Sequence, residues 1–305
     1  MKVVIAGGTG FLGRPLAASL TAEGHEVVVL TRGDQPRQAQ HRTITWSPDG
    51  NPTGWVGEID GSDVVVNLAG ESIAGRRWSP EQKQRILESR IRATRSLVAA
   101  VERASRRPHT FVSGSAVGFY GPHGDDIVTE ETPAGSDFLA DVCMQWETEA
   151  RRAVSSRTRV VCIRTGLVLA RDGGALSAML LPFKIGAGGP LGSGRQYWPW
   201  IHREDWLGLI EWIVRHDQVT GAVNATGPEP VTNAVFAREL GRALHRPSLI
   251  PTPAFALRLM LGEMADGLLL TGQRAVPSKA DALGFSFKYR RVETALAAIF
   301  GSGPG

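Results

Sequence analysis

Residues 2–13 read KVVIAGGTGFLG, and the reading of the whole chain starts from them. Lys2 to Ala6 is a short β-branched run with the character of a buried strand. Leu12 to Glu23 has helical spacing and stops at Gly24, and His25 to Leu30 is a second β-branched run. A glycine turn joining strand to helix, with another strand following within about thirty residues, is the setting in which such glycines bind a dinucleotide. The spacing is Gly7-x-x-Gly10-x-x-Gly13. These glycines supply a tight turn, bare backbone against a pyrophosphate, and close packing of helix on strand. The free N–H groups at the helix start then meet the phosphate charge. Gly7, Thr9, Gly10, Phe11, Leu12 and Gly13 are therefore the first candidates for cofactor contact.

The end of the second strand distinguishes the two nicotinamide cofactors. An acidic residue there accepts from the ribose 2′-OH of NAD. This chain has Thr31-Arg32, with Asp34 two residues further on. A guanidinium at that place pairs with the 2′-phosphate of NADP in the planar geometry that Arg favours. Thr31 and Arg32 join the cofactor set, and NADP(H) is expected over NAD(H).

Beyond the turn, Gly33 to Gln40 is polar, and Arg42 to Trp46 is a candidate third strand. Asp63 to Asn67 is an apolar run of the kind covered on both faces. It ends in Leu68-Ala69-Gly70, which would line the same crevice. Ser79-Pro80-Glu81-Gln82 starts a helix, with Ser as N-cap, Pro at N1 and Gln at N3. That helix runs to about Ser105 with Leu87, Ile91, Thr94, Val98 and Val101 as its buried stripe. Thr110 to Ser113 and Arg159 to Ile163 are further strands, separated by a helix over Phe138 to Val154.

Strict alternation of strand and helix predicts an α/β fold, a Rossmann-type doubly wound parallel sheet. After Gly166 the pattern changes. A glycine-rich stretch (Gly173 to Gly194) precedes Trp200-Ile201-His202, read as a strand returning to the sheet. Proline-separated helices and an alternating strand at Phe285 to Tyr289 follow. The expected division is a dinucleotide-binding domain over 1–166 plus 199–226, and a smaller C-terminal substrate-cap domain over 167–198 plus 227–305.

The totals remove other classes. With 42% hydrophobic and 21% charged residues in 305, the chain has the composition of an ordinary globular protein. A net charge of +4 without any basic block gives no reason to expect nucleic acid. No eighteen-residue apolar run predicts a membrane span, and the seven histidines show no metal-ligand spacing. Cys143 and Cys162 fall in apolar patterns and read as free thiols in a reducing cytoplasm. A small-molecule substrate, anionic in the reading that the cations favour, is the expected partner, and a homodimer stays open as the assembly.

The chain resembles the extended and atypical short-chain dehydrogenase/reductases of the NAD-dependent epimerase/dehydratase type. The matching pieces are the turn at 7–13, Asn67-Leu68-Ala69-Gly70, Ser113 to Gly121 (SGSAVGFYG), Trp200 to Asp205 and Asn224 to Gly227. More narrowly it is similar to an uncharacterised epimerase-family subgroup, through Asn67 to Glu71, Arg76 to Trp78, Ser115 to Gly121 and Pro253 to Arg274. In the wider family a Tyr-x-x-x-Lys pair moves the proton. Aligning on Glu147 puts Leu139 at the Tyr position and Cys143 at the Lys position, and neither can relay a proton to a carbonyl near neutral pH.

Other groups are then candidates. Ser115, with Ser113 as fallback, lies past a strand's carboxyl end and could place a hydroxyl beside the nicotinamide or simply satisfy a turn. Tyr120 could donate a proton or form a packed wall. Glu71 could be a base or a helix-start charge. Arg76, Arg77 and Trp78 suit an anionic or planar substrate. Arg195 and Gln196 follow the glycines where related enzymes contact nucleotide-sugar phosphates, and His202 reads as structural. Two functions stay open: an oxidoreductase-like or sugar-nucleotide epimerase-like protein, or a non-catalytic NADP(H)-binding redox sensor.

Overall fold

The β-branched runs become strands because a parallel sheet under helices buries both of their faces. In the computed structural model, which describes residues 1–33, 41–49 and 54–301, seven of them form one sheet. These are β1 (Lys2–Ala6), β2 (Glu26–Thr31), β3 (Arg42–Thr45), β4 (Val64–Asn67), β5 (Thr110–Ala116), β6 (Arg159–Thr165) and β7 (Gly221–Ala225). The spatial order is β7-β6-β5-β4-β1-β2-β3, and every pairing is parallel. Ala6 lies level with Leu30 on one side and Asn67 on the other, so the carboxyl ends of β1, β2 and β4 are flush. The order reverses between β1 and β4. Ligands of such sheets sit at that reversal.

Alternation along each strand feeds two cores. Val3, Ile5, Val29 and Val66 pack under α1 (Gly13–Ala22) and α5 (Arg203–Arg215) through Leu16, Leu20, Trp206, Leu209 and Ile213. Val4, Val28, Val65 and Phe111 pack under α2 (Pro80–Arg103) and α3 (Phe138–Arg151) through Leu97, Val101 and Ala150. Helix α2 begins as its sequence predicts, with Ser79 Oγ accepting from the Gln82 amide at 3.2 Å. Its early turns are rotated from the expected stripe. Gln82 and Ile86 face inward, while Leu87 and Ile91 are only half-buried. The rotation turns Arg90 toward the loop after β4, where it donates to the Glu71 carbonyl at 3.0 Å.

Two expectations for the second half are corrected. Trp200–His202 does not return to the main sheet but pairs in parallel with Leu167–Leu169 as a separate ribbon. The edge it would have joined, beside β6, is taken by β7. Phe285–Tyr289 forms no strand. The amides of Lys288 and Tyr289 instead donate to the Asp205 carboxylate at 2.7 and 2.9 Å, while Phe287 enters the core under α1 and α5. A separate cluster lies between α4 (Gly174–Lys184), α6 (Asn233–Ala243) and the final helix Val292–Phe300. Leu176, Trp198, Trp200, Phe236, Leu240 and Leu296 are its main members. The segment 34–40, which includes Asp34, lies outside the described residues.

Asp205 is 4% exposed, so its replacement by Ala removes a buried carboxylate and leaves the amides of Lys288 and Tyr289 without their acceptor. The Asp205→Ala protein should lose about 3 kcal/mol of stability, read from its urea midpoint. An unchanged midpoint would show that the 285–289 strap contributes nothing.

Candidate functional site

The glycine turn is defined by what cannot stand in it. Gly7 has φ +78°, and a side chain there would begin 2.7 Å from the Leu68 carbonyl carbon. At Gly13 it would begin 2.2 Å from the Gly7 carbonyl oxygen. Backbone therefore approaches backbone directly, and α1 starts at the lip of the sheet with no acid in its first turn. The turn closes through Gly10 N–H donating to the Gly7 carbonyl at 3.0 Å. Among the described residues the amides of Phe11 and Leu12 find no acceptor. Helix-start donors left open in this way favour an anion. At the end of β2, Thr31 is buried and Arg32 is exposed.

The facing lip is the loop after β4. Asn67 is fully buried; its amide donates to Thr94 Oγ1 at 2.8 Å, and its side-chain oxygen accepts from the Ala69 amide at 3.2 Å. Those bonds shape Leu68-Ala69-Gly70, which leaves Leu68 and Ala69 half-buried and Gly70 exposed. The Glu71 amide donates to Ser89 Oγ at 2.9 Å, which ties the loop to α2. Ser113, level with Asn67 on β5, is fully buried, and its hydroxyl donates to the Gly114 carbonyl.

Behind this lip lies a polar network that the sequence reading missed. Glu147, on α3 and fully buried, accepts from Arg164 Nε at 2.8 Å and Nη2 at 3.0 Å, from Arg151 at 2.6 Å and from Ser115 Oγ at 2.8 Å. Arg164 Nη1 also donates to Tyr120 Oη at 3.0 Å, and Tyr120 donates in turn to Asn224 Oδ1 at 2.6 Å. The Arg164 guanidinium stacks 3.4 Å from the centre of the Phe119 ring. A signal for this was present: Arg164 is a charge inside an otherwise apolar strand, which requires a buried partner.

The network settles how the two hydroxyls chosen from the sequence are placed. Tyr120 is 1% exposed. Burial pushes its hydroxyl up to about 12, against the opposing effect of the Arg164 charge. Tyr120 is thus placed as a packed wall residue whose proton is directed at Asn224. Ser115 is 5% exposed with its proton committed to Glu147. Cys143 lies within its hydrogen-bonding reach, and burial pushes that thiol up to about 11.

The remaining candidates are spread around the cleft. Trp78 donates to the Ile73 carbonyl at 2.8 Å and meets Phe138 edge to face. Its ring also lies 2.7 Å from where a Gly267 side chain would begin. It therefore joins the loop after β4 to the C-terminal region around Gly267. Gln196, expected at substrate phosphates, ties two backbone segments together, its amide donating to the Leu191 and Leu269 carbonyls at 3.0 and 2.7 Å. Its Oε1 is buried and unpartnered among the described residues. Arg76 and Arg195 are exposed. A contact that the sequence reading did not anticipate joins the start of α4 to the glycine turn: Gly173 and Gly174 leave room for the Phe11 ring, 2.6 and 2.8 Å from where their side chains would begin. Among the described residues no cluster of His, Cys, Asp and Glu could hold a metal ion, and no helix is long and apolar enough to cross a membrane.

Residues 3–225 match the model of the NAD dependent epimerase/dehydratase family, and residues 252–299 match a domain of unknown function. An Arabidopsis thaliana chloroplastic homologue of epimerase family protein SDR39U1 is 42% identical over 98% of this chain and 86% of its own length. The crystal structure of human SDR39U1 (isoform 2) with NADPH superimposes with a TM-score of 0.90 at 36% identity, covering 98% of this chain and 99% of that one. A nucleoside-diphosphate sugar epimerase from Corynebacterium glutamicum gives 0.80 at 34% identity, over 99% of this chain and 58% of that one.

Two stability measurements test the site's frame. Glu147→Gln leaves the Arg164 guanidinium buried without its counter-charge and should cost about 3–5 kcal/mol in denaturant titration; a loss within error would discount the pair. The second concerns His202, whose Nδ1 accepts from the Glu204 amide at 3.1 Å. Burial lowers its pKa from 6.5 to about 4. The unfolded chain takes up that proton near 6.5 and the folded one only near 4. Stability is thus full above pH 6.5 and falls as the pH drops toward 4, by up to about 3 kcal/mol. His202→Asn, which keeps a capping acceptor, should flatten that slope. An identical pH profile would refute the assignment.

Proposed function

The chain belongs to the NAD-dependent epimerase/dehydratase family, and from that membership we propose that it is an NADP(H)-binding, oxidoreductase-like or epimerase-like member of the short-chain dehydrogenase/reductase superfamily that works without a Tyr-x-x-x-Lys pair. The observation that carries this reading is the side-chain-free approach of Gly13 to Gly7 at the reversal of the sheet. A cradle that any Cβ would fill, opening on unpartnered helix-start amides, fits a pyrophosphate. Phosphorylation at the 2′ position is supported by the exposed Arg32 at the end of β2 and by the human relative solved with NADPH.

In this reading Gly7, Thr9, Gly10, Phe11, Leu12 and Gly13 take the pyrophosphate, and Thr31 and Arg32 take the adenosine ribose and its phosphate. Leu68, Ala69, Gly70 and Ser113 wall the nicotinamide half. The bound cofactor would supply hydride transfer to or from a substrate carbon. The protein's own part is to orient and to exclude water. Glu147 fixes the direction of the Ser115 hydroxyl at the edge of that space, while Trp78 and the cap residues near Leu269 close it from the other side. Tyr120 stays protonated near neutral pH, and its proton is directed at Asn224 rather than at the cleft. The segments 167–198 and 227–305 form the cap over a small anionic substrate, and the two buried free thiols suit a reducing compartment such as the cytoplasm.

Calorimetric titration of the purified protein with NADPH and with NADH tests this directly. NADPH should bind more tightly, and Arg32→Ala should weaken it about 10- to 100-fold, the loss of one charge-assisted phosphate contact, while leaving NADH unchanged. Absence of heat with both nucleotides would end the proposal.

A further inference from the structure

Beside the cleft, on the side of β4, stands a half-buried cation that no carboxylate pairs with among the described residues. Arg90 projects from the third turn of α2 against the loop after β4, its Cγ and Cζ each 3.2 Å from where a Gly70 side chain would begin. Nη1 donates to the Glu71 carbonyl at 3.0 Å and to the Ile86 carbonyl at 2.9 Å. The guanidinium lies 5.2 Å from the centre of the Trp146 ring. The same loop, two residues earlier, packs against Gly7. Arg90 therefore stands beside the reversal of the sheet, on the side of β4 and β5 rather than of the glycine turn.

The neighbouring arginines show what is unusual about it. Arg95, Arg151, Arg152, Arg159 and Arg164 each pair with a carboxylate. Among the described residues Arg90 has no such pair. Its nearest acidic groups are the Cys143 thiol, which burial keeps protonated, and Glu71, which is in electrostatic reach but forms no ion pair. Two backbone carbonyls hold one of its terminal nitrogens. Nε and Nη2 make no hydrogen bond, and these two N–H groups form the parallel edge of the guanidinium that binds carboxylates in two-point fashion. Trp146 adds a second open donor close by. Its Nε1 is buried with no acceptor, and its ring edge lies 2.8 Å from where a Gly114 side chain would begin.

We propose that Arg90 is a substrate-binding residue whose free Nε–Nη2 edge takes the carboxylate of an anionic substrate at the nicotinamide end of the cleft. The assignment rests on the cleft being the cofactor and substrate site argued above, and it narrows the substrate class to carboxylic acids. Lysine cannot reproduce the fork, because an ammonium offers a point charge without two parallel donors.

Calorimetry with succinate and benzoate, each against its neutral amide (succinamide, benzamide), on the protein with and without saturating NADP+, tests this. At least one carboxylate should bind saturably, its amide at least 10-fold more weakly. Arg90→Lys should weaken the carboxylate about 10-fold and Arg90→Met should abolish its binding, both with NADPH affinity within twofold of the parent. Arg90 also fixes the Glu71 carbonyl, so Arg90→Lys, which retains a donor for it, guards against loss of folding in Arg90→Met. Carboxylate binding that survives Arg90→Lys undiminished overturns the assignment, as does the lack of saturable binding of either acid in the parent protein. Failure of NADPH to bind, with carboxylates still read out through Arg90, would overturn the cofactor reading alone.

Discussion

A helix can begin flush against the end of a strand only where no side chain separates them. Gly7 and Gly13 meet that condition with nothing to spare, since a Cβ at residue 13 would overlap the carbonyl of residue 7. The rest of the cleft is arranged from that contact. It brings the start of α1 level with the carboxyl ends of β1, β2 and β4, sets Leu68 against Gly7, and leaves amide donors directed at the crevice. The geometry is a property of backbone, and its chemistry is correspondingly generic: it selects a phosphate, and nothing in it selects a reaction.

Specific chemistry has to come from the β4–β5 side. Leu139 and Cys143, which alignment on Glu147 puts at the places of the Tyr-x-x-x-Lys pair, offer an apolar side chain and a thiol that burial keeps protonated. The polar groups nearby are tied to one another: Ser115 to Glu147, Glu147 to Arg164, Arg164 to Tyr120, Tyr120 to Asn224. A network satisfied in this way holds α3, β5, β6 and β7 in one register. It costs the site its free hydroxyls, because a buried donor already paired has little reason to turn toward a ligand. Among the described residues Arg90, beside that network, has no carboxylate partner.

The sheet, its helices and the turn could be read from the sequence because each depends on local periodicity and on glycine at fixed offsets. Arg90, Glu147 and Arg164 could not be read as a site. Arg164 stands out as a charge inside an apolar strand, but the partners of these three are defined only when residues 17 to 56 positions apart are brought together, and a single sequence carries no record of which distant groups meet. Trp200–His202 was misplaced for a related reason. A short apolar run announces a strand, and its partner is decided by which sheet edge is still vacant. Phe285–Tyr289 had the alternation of a strand, and its amides went to a carboxylate 83 and 84 residues earlier.

The Asp205 clasp bears on how the chain acquires its shape during synthesis. All seven strands of the main sheet and α5 emerge from the ribosome before residue 226, whereas Phe287 and the two amides that Asp205 accepts arrive some sixty residues later. Until then a buried position under α1 and α5 stands vacant and a carboxylate destined for the interior faces water. The nascent nucleotide-binding half is consequently an unfinished body, sealed only when the tail of the polypeptide comes back to it. A shortened chain ending after β7 would carry the whole glycine turn and still present a hole in its core.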